Sequence, residues 1–259
     1  RRPSSRISRV KLSMTILVTR PAPTGEQLVT RLRKLGYDAW HSPLIECSPG
    51  RELASLPALL QALSADDLVF ALSQHAIHYA DPMLLRTGIS WPAHLTYYAI
   101  GRTTALALHK ISAHPVTYPP ERETSETLLQ LPDLQDVSGK RALLLRGNGG
   151  RELLGETLTE RGAQVTYCEC YQRRDVHYDG LEQSRHWQQI GIDKLVITSG
   201  EMLQRIYTLV PDYYRASWLL GCQLIVVSER LAEQARQLGW RDIRVADNAD
   251  NDALVRALQ

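Results

Sequence analysis

Small polar residues, glycines and arginines recur directly after the apolar segments of this 259-residue chain. They offer hydroxyl groups, backbone N–H groups and guanidinium groups, which together bind carboxylates or phosphates. The pattern therefore indicates a site for a large anionic ligand. The candidate binding residues are Arg20, Ser73, Gly101, Thr103, Arg146, Gly147, Asn148, Gly149, Thr198, Ser199, Gly200 and Ser228. For each serine or threonine alone, an ordinary helix N-cap is the competing interpretation.

Other motifs point away from cofactors. The glycine-rich segment 147–150 follows an apolar segment, as a dinucleotide-binding loop does, but it lacks the third glycine and a Walker-type lysine. His75 and His78 are spaced to share a helix face, but no further metal ligand accompanies them. Cys168 and Cys170 form only a Cys-x-Cys pair on a strand, which is a poor zinc motif. We therefore expect neither a metal nor an organic cofactor.

Tyr171 is the candidate for proton chemistry. It ends a predicted strand and precedes a polar, charged segment, which is a plausible crossing between two lobes. A phenol at such a crossing would face the cleft between the lobes and could donate a proton. An ordinary strand tyrosine is the competing interpretation. The sequence contains no serine nucleophile elbow, and no carboxylate pair stands out as an acid and a base.

The elements that carry these residues alternate between short apolar strands and amphipathic helices, which predicts an α/β fold with mostly parallel sheets. The predicted strands are 15–19, 68–72, 96–100, 141–146, 164–171, 194–198, 223–227 and 243–246. Thr24 and Gln27 have the spacing of a capping box at the start of a helix that Gly36 ends. The segment 114–124 holds three prolines and is predicted to be a loop.

Two kinds of strand-and-helix interval recur along the chain. The intervals 20–36 and 146–162 have the same length and context, and 73–101 and 199–228 differ by one residue. This weak repeat predicts two similar lobes, each built from both kinds of interval. Spacing leaves two arrangements open: two contiguous halves, or a middle lobe inserted between the ends of the other.

Composition is that of a soluble globular protein, with 44% apolar and 22% charged residues. No apolar run approaches the roughly 18 residues that span a bilayer, and four cysteines do not make a disulfide scaffold. Residues 1–13 contain five basic residues and no acid, so the rest holds 25 basic against 28 acidic residues. We expect 1–13 to be an extension outside the fold, disordered or non-native; a nucleic-acid-binding arm is the alternative. The expected location is the cytoplasm, with no nucleic-acid or membrane partner.

The ordered set of motifs resembles the uroporphyrinogen-III synthase family, and its enterobacterial form most closely. The resemblance covers about residues 14–259. The segments that carry it are Ile16-Leu-Val-Thr-Arg-Pro21, Phe70-Ala-Leu-Ser73, Ala99-Ile-Gly-Arg-Thr-Thr-Ala105, Leu145-Arg-Gly-Asn-Gly-Gly150, Cys170-Tyr-Gln-Arg173 and Val196-Ile-Thr-Ser199.

The resemblance implies how the lobes are built. One lobe would comprise 14–47 plus 173–259, and an inserted lobe would comprise 51–168. Each would be a mostly parallel sheet flanked by helices. A two-strand connection would join them, with crossings near 46–49 and 170–173.

The resemblance also implies a function: cyclisation of hydroxymethylbilane to uroporphyrinogen III, with loss of water and inversion of ring D through a spiro intermediate. In this family a tyrosine that matches Tyr171 is the favoured acid, and no cofactor is needed. Thr103, Ser199, Ser228 and the turn 147–150 are the first choices for binding carboxylates, with Ser73 and Thr198 behind them. We expect a monomer, and transient contact with porphobilinogen deaminase is compatible with this chemistry. The alternative function is a two-lobed binding protein for a small polyanionic ligand.

Overall fold

The computed structural model describes residues 14–259, so the predicted extension 1–13 lies outside the described residues. The chain divides into two units. Unit 1 comprises the described residues up to Glu46 together with Arg174–Gln259, and unit 2 is Cys47–Arg173. Over 14–259, no helix is both long and apolar enough to cross a membrane.

The strands and helices follow one another in the alternating order that the sequence predicts. The strands are β1 (Thr15–Val18), β2 (Asp38–His41), β3 (Ile45–Pro49), β4 (Leu68–Ala71), β5 (Thr96–Ala99), β6 (Val116–Thr117), β7 (Arg141–Arg146), β8 (Gln164–Glu169), β9 (Tyr171–Asp175), β10 (Lys194–Ile197), β11 (Gln223–Val226) and β12 (Ile243–Val245). The α-helices are α1 (Thr24–Lys34), α2 (Leu56–Gln61), α3 (Gln74–Thr87), α4 (Arg102–Ser112), α5 (Ser125–Leu128), α6 (Leu153–Glu160), α7 (Gly180–Gln189), α8 (Gly200–Leu209), α9 (Asp212–Ser217), α10 (Glu229–Leu238) and α11 (Asn251–Leu258).

Each unit contains one five-stranded sheet whose strands are all parallel. The order in unit 1 is β2-β1-β10-β11-β12, and the order in unit 2 is β8-β7-β4-β5-β6. The two sheets have the same spatial arrangement of connected strands. They differ in which strand comes first along the chain: β1 in unit 1 corresponds to β7 in unit 2. The prediction of two similar lobes, each with both kinds of interval, is therefore confirmed by the topology.

Both sheets are buried on both faces, as parallel sheets with helices on each side must be. In β1, Leu17 packs into one apolar cluster, while Ile16 and Val18 pack into the cluster on the opposite face. In β4, Val69 and Phe70 divide in the same way. These central strands read as continuous apolar runs in the sequence for that reason.

The predictions of parallel α/β sheets and of a two-strand connection are confirmed, but the strand assignment is wrong at three places: 164–171, 114–124 and β2. The predicted strand 164–171 is two strands, because Cys170 lies between β8 and β9. Strands β3 and β9 form a separate two-stranded sheet where the chain passes from one unit to the other. The predicted loop 114–124 contains the two-residue strand β6, and the short strand β2 has too few apolar residues to stand out.

The predicted capping box at Thr24 is also wrong. The N-cap of helix α1 is Pro23, one residue before the predicted Thr24, and its carbonyl accepts the Gln27 N–H at 3.0 Å. Thr24 already lies inside the helix, and no side chain caps this end. The other end agrees with the prediction, because Gly36 has a φ of +90°, the left-handed conformation typical of the residue after a helix.

Candidate active site

Each sheet has one topological switch point, where the strand order reverses. From the two neighbouring strands at this point, the chain continues toward opposite edges of the sheet. In unit 2 this point lies between β4 and β7, and in unit 1 between β1 and β10. Ligands of parallel α/β sheets bind beyond the carboxyl ends of the strands at such points. The structure brings Ser73 and Gly147 together at the first point, and Arg20 with Thr198 and Ser199 at the second.

Three of the predicted serines are helix N-caps. Each serine Oγ accepts the backbone N–H of the residue three positions later. The distances are 3.2 Å for Ser73, 3.2 Å for Ser199 and 3.1 Å for Ser228. The competing interpretation as caps is therefore right for all three. A capping hydroxyl still holds its own proton and a second lone pair, so capping does not exclude a further partner.

Tyr171, the first residue of β9, lies over the switch point of unit 2. Ser73 Oγ donates a hydrogen bond to its phenol oxygen at 3.0 Å. The ring lies so close to Gly147 that a β-carbon there would be 2.6 Å from Cζ, so only glycine fits. The rings of His75 and Tyr79 pack beside the phenol, with centroids 5.5 and 6.2 Å away. The residue that the sequence singled out for proton chemistry thus lies at the ligand-binding edge of this sheet.

Burial favours the neutral form of the Tyr171 phenol. Loss of solvation raises the pKa of Tyr171, while the bond from Ser73 and the charge of Arg173 act in the lowering direction. Because burial dominates, the phenol retains its proton at neutral pH. A neutral, partly buried hydroxyl is the form that a general acid requires.

The glycine-rich turn after β7 supports strand β9. Asn148 Oδ1 accepts the backbone N–H of Arg173 at 2.8 Å, and Asn148 Nδ2 donates to the Arg173 carbonyl at 3.3 Å. The amide therefore acts as a substitute backbone partner for the strand that begins with Tyr171. Gly149 is open, because a β-carbon there would meet no heavy atom within 4 Å, and Gly150 has a φ of +123°.

The two predicted arginines are already engaged inside their own units. Arg146 is 8% exposed, donates to Glu152 at 2.9 Å and lies over the Tyr167 ring at 4.8 Å. Arg20 Nη1 donates to the Ala249 carbonyl and to the side-chain oxygen of Asn251, both at 2.9 Å. Their guanidinium groups therefore hold the surrounding turns in place.

The first turn of α4 already holds a carboxylate of the protein. Glu123 Oε1 accepts the backbone N–H of Arg102 at 3.0 Å, and a β-carbon at Gly101 would lie 2.5 Å from the same carboxyl group. Thr103, one residue further, is exposed. This end of the helix therefore has the geometry to bind a carboxylate, and Glu123 occupies part of it.

The remaining predicted residues lie around α8. Thr198 Oγ1 lies 3.7 Å from the sulfur of Met202. Gly200 begins the helix, and a β-carbon there would lie 2.8 Å from the side-chain oxygen of Gln234. Both residues thus pack against their own helix or its neighbour α10.

The structure shows three contacts that the sequence did not indicate. Glu123 accepts an N–H at the start of α4, Asn148 binds the backbone of β9, and Gly147 leaves room for the Tyr171 ring. The partners in these contacts are 21 and 25 residues apart for the two hydrogen bonds. Nothing in a local sequence window distinguishes such residues from ordinary polar loop residues. Across residues 14–259, no group of three or more histidine, cysteine, aspartate or glutamate side chains could hold a metal ion.

Comparison with known proteins gives consistent results. The family model described as "Uroporphyrinogen-III synthase HemD" matches residues 26–256. The chain is 62% identical over 246 residues to a uroporphyrinogen-III synthase of Escherichia coli K12, and 63% identical to one of Salmonella typhimurium LT2. Each alignment covers 95% of this chain and all of the relative.

Two solved structures share the fold. A mutant uroporphyrinogen III synthase of Thermus thermophilus matches with a TM-score of 0.60 at 20% identity, covering 95% of this chain and 99% of that one. A uroporphyrinogen-III synthetase of Helicobacter pylori 26695 matches with a TM-score of 0.50 at 17% identity, covering 94% and 97%. At these identities the similarity concerns the architecture alone.

Proposed function

This chain belongs to the uroporphyrinogen-III synthase family, and we propose that it cyclises hydroxymethylbilane to uroporphyrinogen III with Tyr171 as the proton donor. The observation that carries the role of Tyr171 is its position: a protonated phenol fixed over the switch point of unit 2. Ligands of this architecture bind at that point, and this position supports Tyr171 as the proton donor.

The proposed acid step is the loss of the terminal hydroxyl of the bilane. Tyr171 transfers its proton to that hydroxyl as the carbon–oxygen bond breaks, and water leaves with the proton. The resulting azafulvene on ring A accepts the substituted carbon of ring D, which gives the spiro intermediate. Fragmentation and renewed closure invert ring D, and the proton that ring D releases returns to the phenolate of Tyr171. Hydroxymethylbilane is thereby converted into uroporphyrinogen III and one water, and the enzyme is restored.

The second task of the protein is to hold the bilane in the bend that leads to the spiro intermediate rather than to direct end-to-end closure. We propose that hydroxyl and backbone N–H groups at the strand ends bind its carboxylates. The first choices are Thr103, Ser199, Ser228 and the turn 147–150. The carboxylate of Glu123 on the first turn of α4 supports this chemistry, since it shows a group of the same kind bound there.

We expect this binding to be sensitive to salt. Because the ligand is a polyanion, raising the ionic strength is expected to raise KM. Steady-state rates at several salt concentrations test this, and a KM that does not change would count against carboxylate binding as the main source of affinity.

We also propose that the protein acts as a monomer in the cytoplasm and receives the bilane from porphobilinogen deaminase through transient contact. The unassisted closure of the bilane supports a short transfer, because free substrate would form the type I isomer. Light scattering of the purified protein tests the monomer, and cross-linking during turnover tests the contact.

The experiment that tests the activity is a coupled assay. Porphobilinogen and porphobilinogen deaminase generate the bilane, this protein is added, and the oxidised products are separated by chromatography. Mostly type III product is expected, against type I without the protein. Type I alone, from a protein whose circular dichroism shows that it is folded, would overturn the proposal.

A further inference from the structure

The Ser73 hydroxyl lies between a helix end and the proposed acid. Its oxygen accepts the Ala76 N–H at 3.2 Å, and it lies 3.0 Å from the Tyr171 phenol oxygen. The Ser73 hydroxyl accepts the helix N–H with one lone pair and donates its own proton to the phenol oxygen. The phenol oxygen therefore accepts from Ser73, and the proton of Tyr171 is directed elsewhere.

We infer that Ser73 is a positioning residue for the reaction, which aims the proton of Tyr171 at the leaving hydroxyl instead of binding a substrate carboxylate. This inference rests on the proposed role of Tyr171 as the acid. If Ser73 were replaced by a group that only accepts, the phenol would donate to it and the proton would be withdrawn from the substrate.

Two neighbouring contacts fix the phenol that Ser73 orients. Gly147 leaves room for the ring, and Asn148 binds both backbone groups of Arg173, two residues after Tyr171. Ring and backbone are thus held independently of Ser73, so what the Ser73 bond adds is the direction of the O–H. The same bond acts to lower the pKa of Tyr171 against the effect of burial, which eases release of the proton.

The competing role for Ser73 is that of a helix N-cap with no effect on the phenol. Three substitutions distinguish this capping role from the positioning role. Threonine can both cap the helix and donate to the phenol. Aspartate caps equally well but can only accept when ionised. Alanine does neither. A capping role predicts that Ser73→Thr and Ser73→Asp behave alike and that Ser73→Ala alone is impaired.

The positioning role predicts a different order, measured as kcat in the coupled assay. Ser73→Thr keeps kcat near that of the parent. Ser73→Ala lowers kcat about fivefold, the scale of one net hydrogen bond. Ser73→Asp lowers it at least as much although its helix remains capped. KM is not compared for Ser73→Asp, because its charge repels a polyanion whatever the mechanism.

A double-mutant cycle with Tyr171→Phe completes the test. If Ser73 acts through the phenol, Ser73→Ala has no further effect on kcat once the phenol hydroxyl is gone. Losses that multiply, or a raised KM with unchanged kcat in Ser73→Ala, would overturn the inference while Tyr171→Phe alone remains impaired. Unchanged kcat in Tyr171→Phe would instead overturn the proposed acid and the inference with it. If Ser73→Ala does not fold in a thermal melt, Ser73→Asp carries the same cycle.

Discussion

The two units contain the same sheet layout, yet they use corresponding side chains differently. Ser199 in unit 1 and Ser73 in unit 2 each follow the strand beside the switch point, and each caps its helix at 3.2 Å. In unit 2 the capping hydroxyl also bonds the phenol of Tyr171. Both units thus use this serine as a helix cap, and in unit 2 strand β9 brings a phenol to the same hydroxyl.

The two tyrosines near the chain crossings sharpen this contrast. Tyr178 in unit 1 donates its hydroxyl proton to the Pro43 carbonyl at 2.8 Å, so that proton is committed to the fold. Tyr171 in unit 2 accepts a hydrogen bond and keeps its proton. Burial raises the pKa of both phenols. What distinguishes a structural tyrosine from a candidate acid is therefore the direction of its hydrogen bond, not its acidity.

The largest expected effect comes from removing each phenol hydroxyl in turn. Tyr171→Phe should lower kcat by about 10²-fold or less, the lower range for one proton-transfer group, because unassisted closure is already feasible. The matched variant Tyr178→Phe should leave kcat unchanged and lower the free energy of unfolding by about 1 kcal/mol. Coupled assays and urea unfolding of both variants measure this. Equal kcat in the two variants would erase the contrast between them.

A smaller effect is expected when a methyl group is added at Gly147, against which the Tyr171 ring packs. Gly147→Ala should lower kcat about tenfold, because its methyl group would lie 2.6 Å from the Tyr171 ring and displace it. Overpacking should also lower the free energy of unfolding by about 1–3 kcal/mol.

Gly221→Ala is the control for that substitution, since a β-carbon there meets no heavy atom within 4 Å. Its kcat and unfolding midpoint should match those of the parent protein. A Gly147→Ala variant with parental kcat would show that the position of the phenol does not limit the reaction.

The sequence predicts the architecture well because its signals are local. Apolar runs of four or five residues, followed by amphipathic segments, determine parallel strands and covering helices, and equal intervals between 20–36 and 146–162 reveal the repeat. The strands that were missed are those whose stability comes from partners. Strand β2 contains two polar residues in four, and β9 follows β8 after one residue, so neither differs locally from its surroundings.

The site was predictable by residue type but not by partner. Serine after a strand predicts a position beyond the sheet edge, and Ser73 lies there. That its hydroxyl meets a residue 98 positions away, at Tyr171, depends on how β9 returns to the β4–β7 edge. The same limit explains Arg146, predicted as a ligand from its type, which is buried against Glu152 and Tyr167.

Ser199 provides the test of what the equivalent serine does in unit 1. Ser199→Ala should raise KM about threefold with kcat little changed, because it would lose a hydrogen bond to a substrate carboxylate and no phenol depends on it. It should also lower the free energy of unfolding by about 1 kcal/mol through loss of the cap.

Asp179→Ala separates these two effects, since Asp179 caps α7 at 2.9 Å and has no proposed contact with substrate. It should show the loss of stability alone. If Ser199→Ala also left KM at the parental value, Ser199 would be a cap only.

The smallest expected effect concerns Glu123, whose carboxylate binds the backbone N–H of Arg102 at the start of α4. Glu123→Ala should lower KM about twofold, because the Arg102 N–H and the first turn of the helix become free for a substrate carboxylate. Glu126→Ala removes the same charge three residues away, where it pairs with Arg151 rather than with α4. KM should therefore fall further in Glu123→Ala than in Glu126→Ala. Equal values would mean that only net charge matters, and they would remove Gly101 and Thr103 from the binding site.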